Sequence, residues 1–281
     1  MERFDREAGP ALPSGGILDG ARARGCSHVT ERSFYTLLLL IWLVLAAVTF
    51  FALLSLTAPY GRHRRQGWGP GLPARAGWLL MELPAAVVVA FFFFVSERRT
   101  ESVSIVFLAL WQIHYLHRSL VYPFRVRASD RRMPLAVALM AVVFNMTNGY
   151  LNGRWLFALG PTRSADWLVD PRFLMGVALF AGGFALNLHS DALLSRLRRP
   201  GESEYRVPRG AAFRLVSCPN YLGEIVEWCG WALLTWSPAG LAFALWTAAN
   251  LVPRAISHHR WYRERFPDYP RERRAIVPFV L

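Results

Sequence analysis

The 281 residues are 54% hydrophobic and only 18% charged, where soluble chains carry roughly 25% charged residues, so an ordinary water-soluble domain is excluded. There is no lysine, all 32 basic residues are arginine, and the formal net charge is +13. The arginines cluster beside apolar runs and nothing resembles a nucleic-acid module, so they read as topology signals and contacts for anionic lipid head groups rather than a nucleic-acid surface.

In chain order, residues 1–33 mix Gly, Pro, Ala and charge without an apolar h-region. They read as a flexible lead, not a signal peptide. Residues 34–281 read as one membrane domain, a single bundle being expected at this length. Its apolar spans run roughly Tyr35–Leu56, Ala76–Val95, Val103–Tyr122, Pro134–Tyr150, Arg172–Leu194, Gly223–Trp236 with a lead-in from Phe213, and Ala239–Ile256. Several approach the ~20 residues needed to cross ~30 Å of hydrocarbon; the third, fourth and sixth are shorter or more polar. Most arginines fall in the loops after spans one, three, five and seven, which marks that side as cytoplasmic. The expected fold class is all-α: a polytopic bundle of seven transmembrane helices, N-terminus outside and C-terminus cytosolic. Cys26, Cys218 and Cys229 show neither metal spacing nor an even count. Arginine without lysine, with abundant Ala and Gly, suggests GC-rich coding and a bacterial inner membrane; a eukaryotic source would imply the endoplasmic reticulum.

Polar groups inside the spans carry the chemistry. Glu82 lies in Trp78-Leu79-Leu80-Met81-Glu82-Leu83-Pro84, Asn187 ends the apolar run from Phe173, and Glu224 and Glu227 sit in Tyr221-Leu222-Gly223-Glu224-Ile225-Val226-Glu227-Trp228. A carboxylate in hydrocarbon costs at least a few kcal/mol and persists only facing a partner, a cavity or the bundle interior. Together these groups suggest a buried ligand site. In its protonated form the Glu82 carboxyl, like the Tyr115 phenol, can donate to one substrate oxygen, an oxyanion-stabilising pair.

Other constellations are more ambiguous. His114 and His117 share a helical face at i, i+3; with few histidines in the chain a metal site is not expected, and bonds between helices suit them better. Asn187 and Asp191 share a face at i, i+4, ahead of the arginine-rich stretch from Arg196, which suits either a nucleotide or a charged stop-transfer loop. Glu224 and Glu227 could be an acid/base dyad or acceptors for amides and ribose hydroxyls. Arg254, His258 and Tyr262 form an i, i+4, i+8 stripe, suiting a phosphate and a stacked ring or an ordinary juxtamembrane turn. With no Rossmann fingerprint or Walker motif, any nucleotide must be held by helices and loops.

Taken in order, several segments resemble the steroid 5α-reductase family over most of the chain, from about Tyr60. They are Leu72-Pro73-Ala74-Arg75-Ala76-Gly77-Trp78 with Glu82-Leu83-Pro84; His114-Tyr115-Leu116-His117-Arg118-Ser119-Leu120-Val121-Tyr122; Asn187-Leu188-His189-Ser190-Asp191; Leu197-Arg198-Arg199-Pro200-Gly201-Glu202 with Tyr205-Arg206-Val207-Pro208; Asn220-Tyr221-Leu222-Gly223-Glu224; and Phe266-Pro267-Asp268-Tyr269-Pro270 through Phe279. The resemblance implies a seven-helix enzyme that binds NADPH from the cytosol and takes a 3-oxo-Δ4-steroid, or a similar planar enone lipid, from the bilayer. It implies that Glu82 and Tyr115 hold the enone carbonyl. It implies cofactor contacts from Arg62, Arg118, Asn187, Asp191, Arg198, Tyr205, Arg206, Asn220, Glu224, His258 and Tyr262. Met81 stands where animal members commonly have glutamine, which bears on substrate preference. No obligate protein partner is implied. The alternatives are a reductase of another lipid enone or an enoyl thioester, and a membrane methyltransferase using S-adenosylmethionine, suggested by the Pro219 to Glu224 segment.

Overall fold

A computed structural model describes residues 16–57, 67–125, 132–197 and 205–281, with side chains from residue 30 onward. The chain divides into two units, residues 1–38 and 39–281. The first holds the N-terminal part of α1 (Gly16–Ser55). Residues 16–33, expected as a flexible lead, are thus helical where described, and residues 1–15 lie outside the described residues.

The second unit is helical almost throughout. After the rest of α1 come α2 (Ala74–Phe94), α3 (Ser102–Leu116), a π-helical turn at His117–Val121, α4 (Tyr122–Arg125), α5 (Leu135–Arg154), α6 (Pro171–Arg196), α7 (Pro219–Thr235) and α8 (Pro238–Arg265). All seven expected spans fall on helix. Among the described residues, five helices are long and apolar enough to cross a membrane: α1 from Thr30, α2, α5 with its π-helical extension to Leu159, α6 and α8. The sixth falls short because α7 has only 17 residues; the third runs on through the π-helical turn to Arg125 but carries Gln112, His114, His117 and Arg118, which lower its apolarity. The fourth, read as short, gains length because its helix runs past Tyr150. The lead-in from Phe213 is not part of α7; Ala211–Arg214 form a separate 3₁₀ turn. The purely α expectation also needs correction. Strands β1 (Gly71–Pro73) and β2 (Arg132–Pro134) pair antiparallel, Gly71 opposite Pro134, and tether the starts of α2 and α5.

Helix boundaries reflect local chemistry. Asp170 caps α6, accepting from Arg172 N at 2.8 Å, with Pro171 at the first helical position. Ser237 caps α8, accepting from Gly240 N at 2.9 Å, ahead of Pro238. A proline there loses no hydrogen bond and its φ is already helical. Pro84 lies inside α2. With no N–H, it leaves the Leu80 carbonyl outside the helical ladder, two residues from Glu82.

The core is aromatic. Trp111, Trp228 and Trp231 are fully buried among Tyr115, Phe107, Phe180 and Phe243, and the Trp228 and Phe243 rings lie 4.2 Å apart. Large apolar side chains such as Phe51, Phe91, Phe94, Val143 and Met175 instead face outward. Such a surface is a liability in water and suits lipid.

The most extensive packing is α6 on α7. It is a glycine seam, with Gly176 and Gly183 on α6 and Gly223 and Gly230 on α7. A Cβ on Gly223 would lie 2.6 Å from Asn187 N and 2.7 Å from the Gly183 carbonyl oxygen. Small residues let helix backbones touch, which is how apolar helices associate where no hydrophobic force drives them. Gly223→Ala should therefore lower the thermal midpoint in detergent by several degrees, overpacking costing about 1–3 kcal/mol. Gly182→Ala, whose added carbon meets nothing within 4 Å, should leave it unchanged.

Candidate active site

One cavity of about 630 Å³ gathers side chains from most helices of the second unit, a volume within the usual range for small-molecule sites. From α2 come Met81 and Glu82, from α3 His114 and Tyr115, and from the π-helical turn Arg118. Helix α6 adds Asp191, α7 adds Asn220 and Glu224, and Tyr205, His258 and Tyr262 line the same space. Thr57, just past α1, Arg132, and Ser195 near the end of α6 also line it. The cavity therefore reaches the helix ends that adjoin the arginine-rich loops.

Arg118 is the hub. Its Nε lies 3.7 Å from Glu82 Oε1, Nη1 lies 3.3 Å from Asp191 Oδ2, and Nη2 lies 3.9 Å from Glu224 Oε2. One guanidinium thus faces carboxyl groups from α2, α6 and α7. Its planar fork suits several partners at once, which a lysine ammonium does not. The guanidinium also packs against two adjoining rings, 4.9 Å from the Trp78 ring centre and 4.4 Å from that of Tyr122, which meet edge-on 4.9 Å apart. The π-helical turn inserts an extra residue into the helix and rotates the residues C-terminal to it, a device frequent at functional sites.

Amides complete the wall. Asn145 Nδ2 donates to the Met81 carbonyl at 2.6 Å and reaches Glu82 Oε2 at 3.5 Å. Asn220 Nδ2 donates to Asp191 Oδ1 at 3.1 Å, and Asn187 Nδ2 donates to the Asn220 carbonyl at 3.0 Å. Toward the end of α8, Arg254 Nη2 donates to the Tyr221 hydroxyl at 2.9 Å, which also meets His258 Nε2 at 3.2 Å.

The structure separates the two glutamates of α7. Glu227, fully buried, meets His114 Nδ1 at 2.7 Å, a bond between helices. Glu224 faces the cavity and Arg118. They do not form a dyad. Among the described residues, no three His, Cys, Asp or Glu side chains are placed to hold a metal ion.

Ten of the residues for which the resemblance implies a site role line this cavity: Met81, Glu82, Tyr115, Arg118, Asp191, Tyr205, Asn220, Glu224, His258 and Tyr262; so do His114 and Arg254, singled out by their spacing. Asn187 is buried and does not line it, acting on the wall through Asn220. Arg206 is exposed and does not line it either. Arg62 and Arg198 lie outside the described residues. Asn145, and the neighbouring Asn148 and Asn152, were missed. The signal was available for Asn145 and Asn148, since an amide within a span is also expected to bond between helices. Trp78 and Tyr122 carried no such signal, because aromatic residues in spans are ordinary.

Comparison with known proteins agrees with this geometry. A family model described as 3-oxo-5-alpha-steroid 4-dehydrogenase matches residues 131–281. The chain is 42% identical over 258 residues to 3-oxo-5-alpha-steroid 4-dehydrogenase 1 of Bos taurus, covering 90% of this chain and 100% of that protein. The chain belongs to the 3-oxo-5-alpha-steroid 4-dehydrogenase family. It is also 39% identical over 255 residues to Steroid 5-alpha-reductase DET2 of Gossypium hirsutum, covering 89% and 99% of the two chains. Against the Homo sapiens 3-oxo-5-alpha-steroid 4-dehydrogenase 1 the figures are 42% over 225 residues, 79% and 86%. As a member, the chain is an oxidoreductase. The family match takes in Asp191, Asn220, Glu224, His258 and Tyr262, while Glu82, Tyr115 and Arg118 precede it. These relatives come from animals and a plant; the expectation of a bacterial source rests on composition.

The Arg118 cluster makes a direct prediction. Arg118→Met removes the cation that three partly buried carboxyl groups face, and since breaking a fully buried pair costs about 3–5 kcal/mol, the loss here is at most of that order. The variant's thermal midpoint should fall below that of the parent. Adding Asp191→Asn should recover part of the loss, measured by thermal unfolding in detergent.

Proposed function

We propose that this enzyme reduces the Δ4 double bond of 3-oxo-Δ4-steroids, using NADPH that enters from the cytosolic side. The observation that carries this is the shared cavity: Glu82 and Tyr115 line the same space as the carboxylates, amides and aromatic rings of α6, α7 and α8. The residue set fits a dinucleotide. Asn220, Asp191 and Glu224 offer a carboxamide and ribose hydroxyls their complements, Tyr262 offers a ring face, and Arg254 with His258 supplies basic groups nearer the arginine-rich end. When bound, the cofactor supplies a hydride equivalent to the enone β-carbon.

The chain's own residues do the rest. An isolated alkene does not accept hydride; an enone does, because charge moves to the carbonyl oxygen. Tyr115 and protonated Glu82 donate to that oxygen as the charge forms, and one such donor contributes roughly 3–4 kcal/mol. A protonated Glu82 belongs to this reading, because a carboxyl can donate to a ketone oxygen only while it keeps its proton. Asn145 holds the Glu82 backbone turn through the Met81 carbonyl. The packed rings of Trp228 and Phe243, both lining the cavity, exclude water and offer a planar apolar wall to a steroid. Met81, at the same wall, is a place where substrate preference is set.

The arginine bias and the reach of the cavity toward those loops support a cytosolic C-terminus and a multi-pass membrane location. Purified protein should convert testosterone or progesterone to the 5α product with NADPH. Glu82→Gln and Tyr115→Phe should each lower turnover by about 10²–10³ while NADPH still raises the thermal midpoint. Wild-type turnover in both variants sinks these roles. A panel of enoyl thioesters and sterol dienes tests the alternative substrates, and stabilisation by S-adenosylmethionine instead of NADPH would support the methyltransferase reading.

A further inference from the structure

Reduction of an enone needs a proton that the residues described so far do not supply. Hydride at the β-carbon leaves an enolate, which becomes the saturated ketone only when the α-carbon gains a proton. Glu82 and Tyr115 serve the oxygen, not that carbon. Beside them stands an acid–base pair that the proposed function leaves unused: His114 of α3 and Glu227 of α7.

The pair is built across two helices. His114 Nδ1 meets Glu227 Oε1 at 2.7 Å, and the two side chains are 5% and 0% exposed. Glu227 does not line the cavity. Its Oε2 is buried with no hydrogen-bond partner, so among the described residues the carboxyl serves His114 alone. Aromatic rings hold the imidazole, Trp228 edge-on at 4.5 Å and Tyr115 at 5.0 Å between centres. His114 itself lines the cavity. With Nδ1 taken, Nε2 is the nitrogen left for a ligand. It makes no hydrogen bond among the described residues, yet unlike Nε2 of His117 it is not closed off within the protein. The space open to it is the cavity.

We propose that His114 is the acid that protonates the α-carbon, with Glu227 as the positioning residue that holds its second proton. Two protons can sit on the pair in two ways: imidazolium against carboxylate, or imidazole against carboxylic acid. Both place a hydrogen on Nε2. As the Nε2–H bond breaks, the enolate electron pair forms the new α C–H bond and the carbonyl returns. One proton stays between Nδ1 and Oε1, so the ring never becomes an imidazolate. Water entering the emptied cavity restores the missing proton. The α-carbon is bonded to the carbonyl carbon, and His114 adjoins Tyr115 in sequence and in space. The two side chains therefore address neighbouring atoms of one substrate. The proposal rests on the reading that this cavity reduces an enone.

Turnover of a Δ4-3-oxosteroid with NADPH in D₂O reads the step, because the α-hydrogen comes from exchangeable groups and the β-hydrogen from the cofactor. In the parent, deuterium should enter on one face of the α-carbon, read by NMR of promptly extracted product. His114→Gln can still bond Glu227 but donates no proton to carbon. It should lower kcat by about 10²–10⁴, the range a positioned acid contributes. Its residual product should carry deuterium on both faces, as water replaces the fixed donor, while NADPH still raises its thermal midpoint. Parental kcat in this variant overturns the proposal. So does a loss of kcat with the label still on one face, which marks a purely structural role.

Glu227→Gln carries the test where His114→Gln does not fold. Glutamine can hold the ring but passes it no proton. The kcat should fall by about tenfold or more, and the ratio of kcat in H₂O to that in D₂O should rise above the parental ratio. A parental value of either quantity overturns the proposal. If the parent reduces no enone at all, the proposed function fails instead, and the two failures are distinct.

Discussion

One partly buried cation holds the site together. The Arg118 guanidinium packs against two adjoining aromatic rings and faces carboxyl groups from α2, α6 and α7. Each carboxyl would be costly alone in an interior shielded from water, and so would the cation. None can be understood without the others. The helices that carry them cross the unit at different places in the sequence, so the cluster is also a long-range constraint on how those helices assemble. The π-helical turn at His117–Val121 gives this constraint its local form, because it delivers Arg118 just after Tyr115 on one continuous helical run.

Much of this was legible in the sequence, for a simple reason. Lipid demands long apolar helices, so any polar group within one must have a use or a partner. That logic located Glu82, Asn187, Glu224 and Glu227. The resemblance to the family then assigned expected roles to residues that composition cannot distinguish, such as Tyr205 and Tyr262. Both line the cavity. The same logic, applied to α5, would have exposed Asn145 and Asn148.

Other features were not legible, again for physical reasons. A π-helical turn leaves no mark on hydropathy. The pairing of Gly71–Pro73 with Arg132–Pro134 joins segments far apart in the chain, and neither reads as a strand alone. Span length misled where helix ends depend on capping and packing: α1 begins before its apolar run, and α7 stops at Trp236, whose backbone turns left-handed at φ 45°. Whether Glu224 and Glu227 act together depended on which way each points around α7. Spacing of three residues allowed a shared face, but His114 captured one of them.

The glycine seam between α6 and α7 has a consequence for how such a site can change. Backbone touches backbone there, with no side-chain cushion to absorb a shift. Asp191, Asn220 and Glu224 consequently ride on one inflexible block. Met81, Glu82 and Asn145 belong to α2 and α5, which meet through side chains that can be exchanged for others of similar volume. The molecule is built like a vice with one fixed and one adjustable jaw. A change of shape is therefore accommodated more readily on the adjustable jaw than on the fixed one.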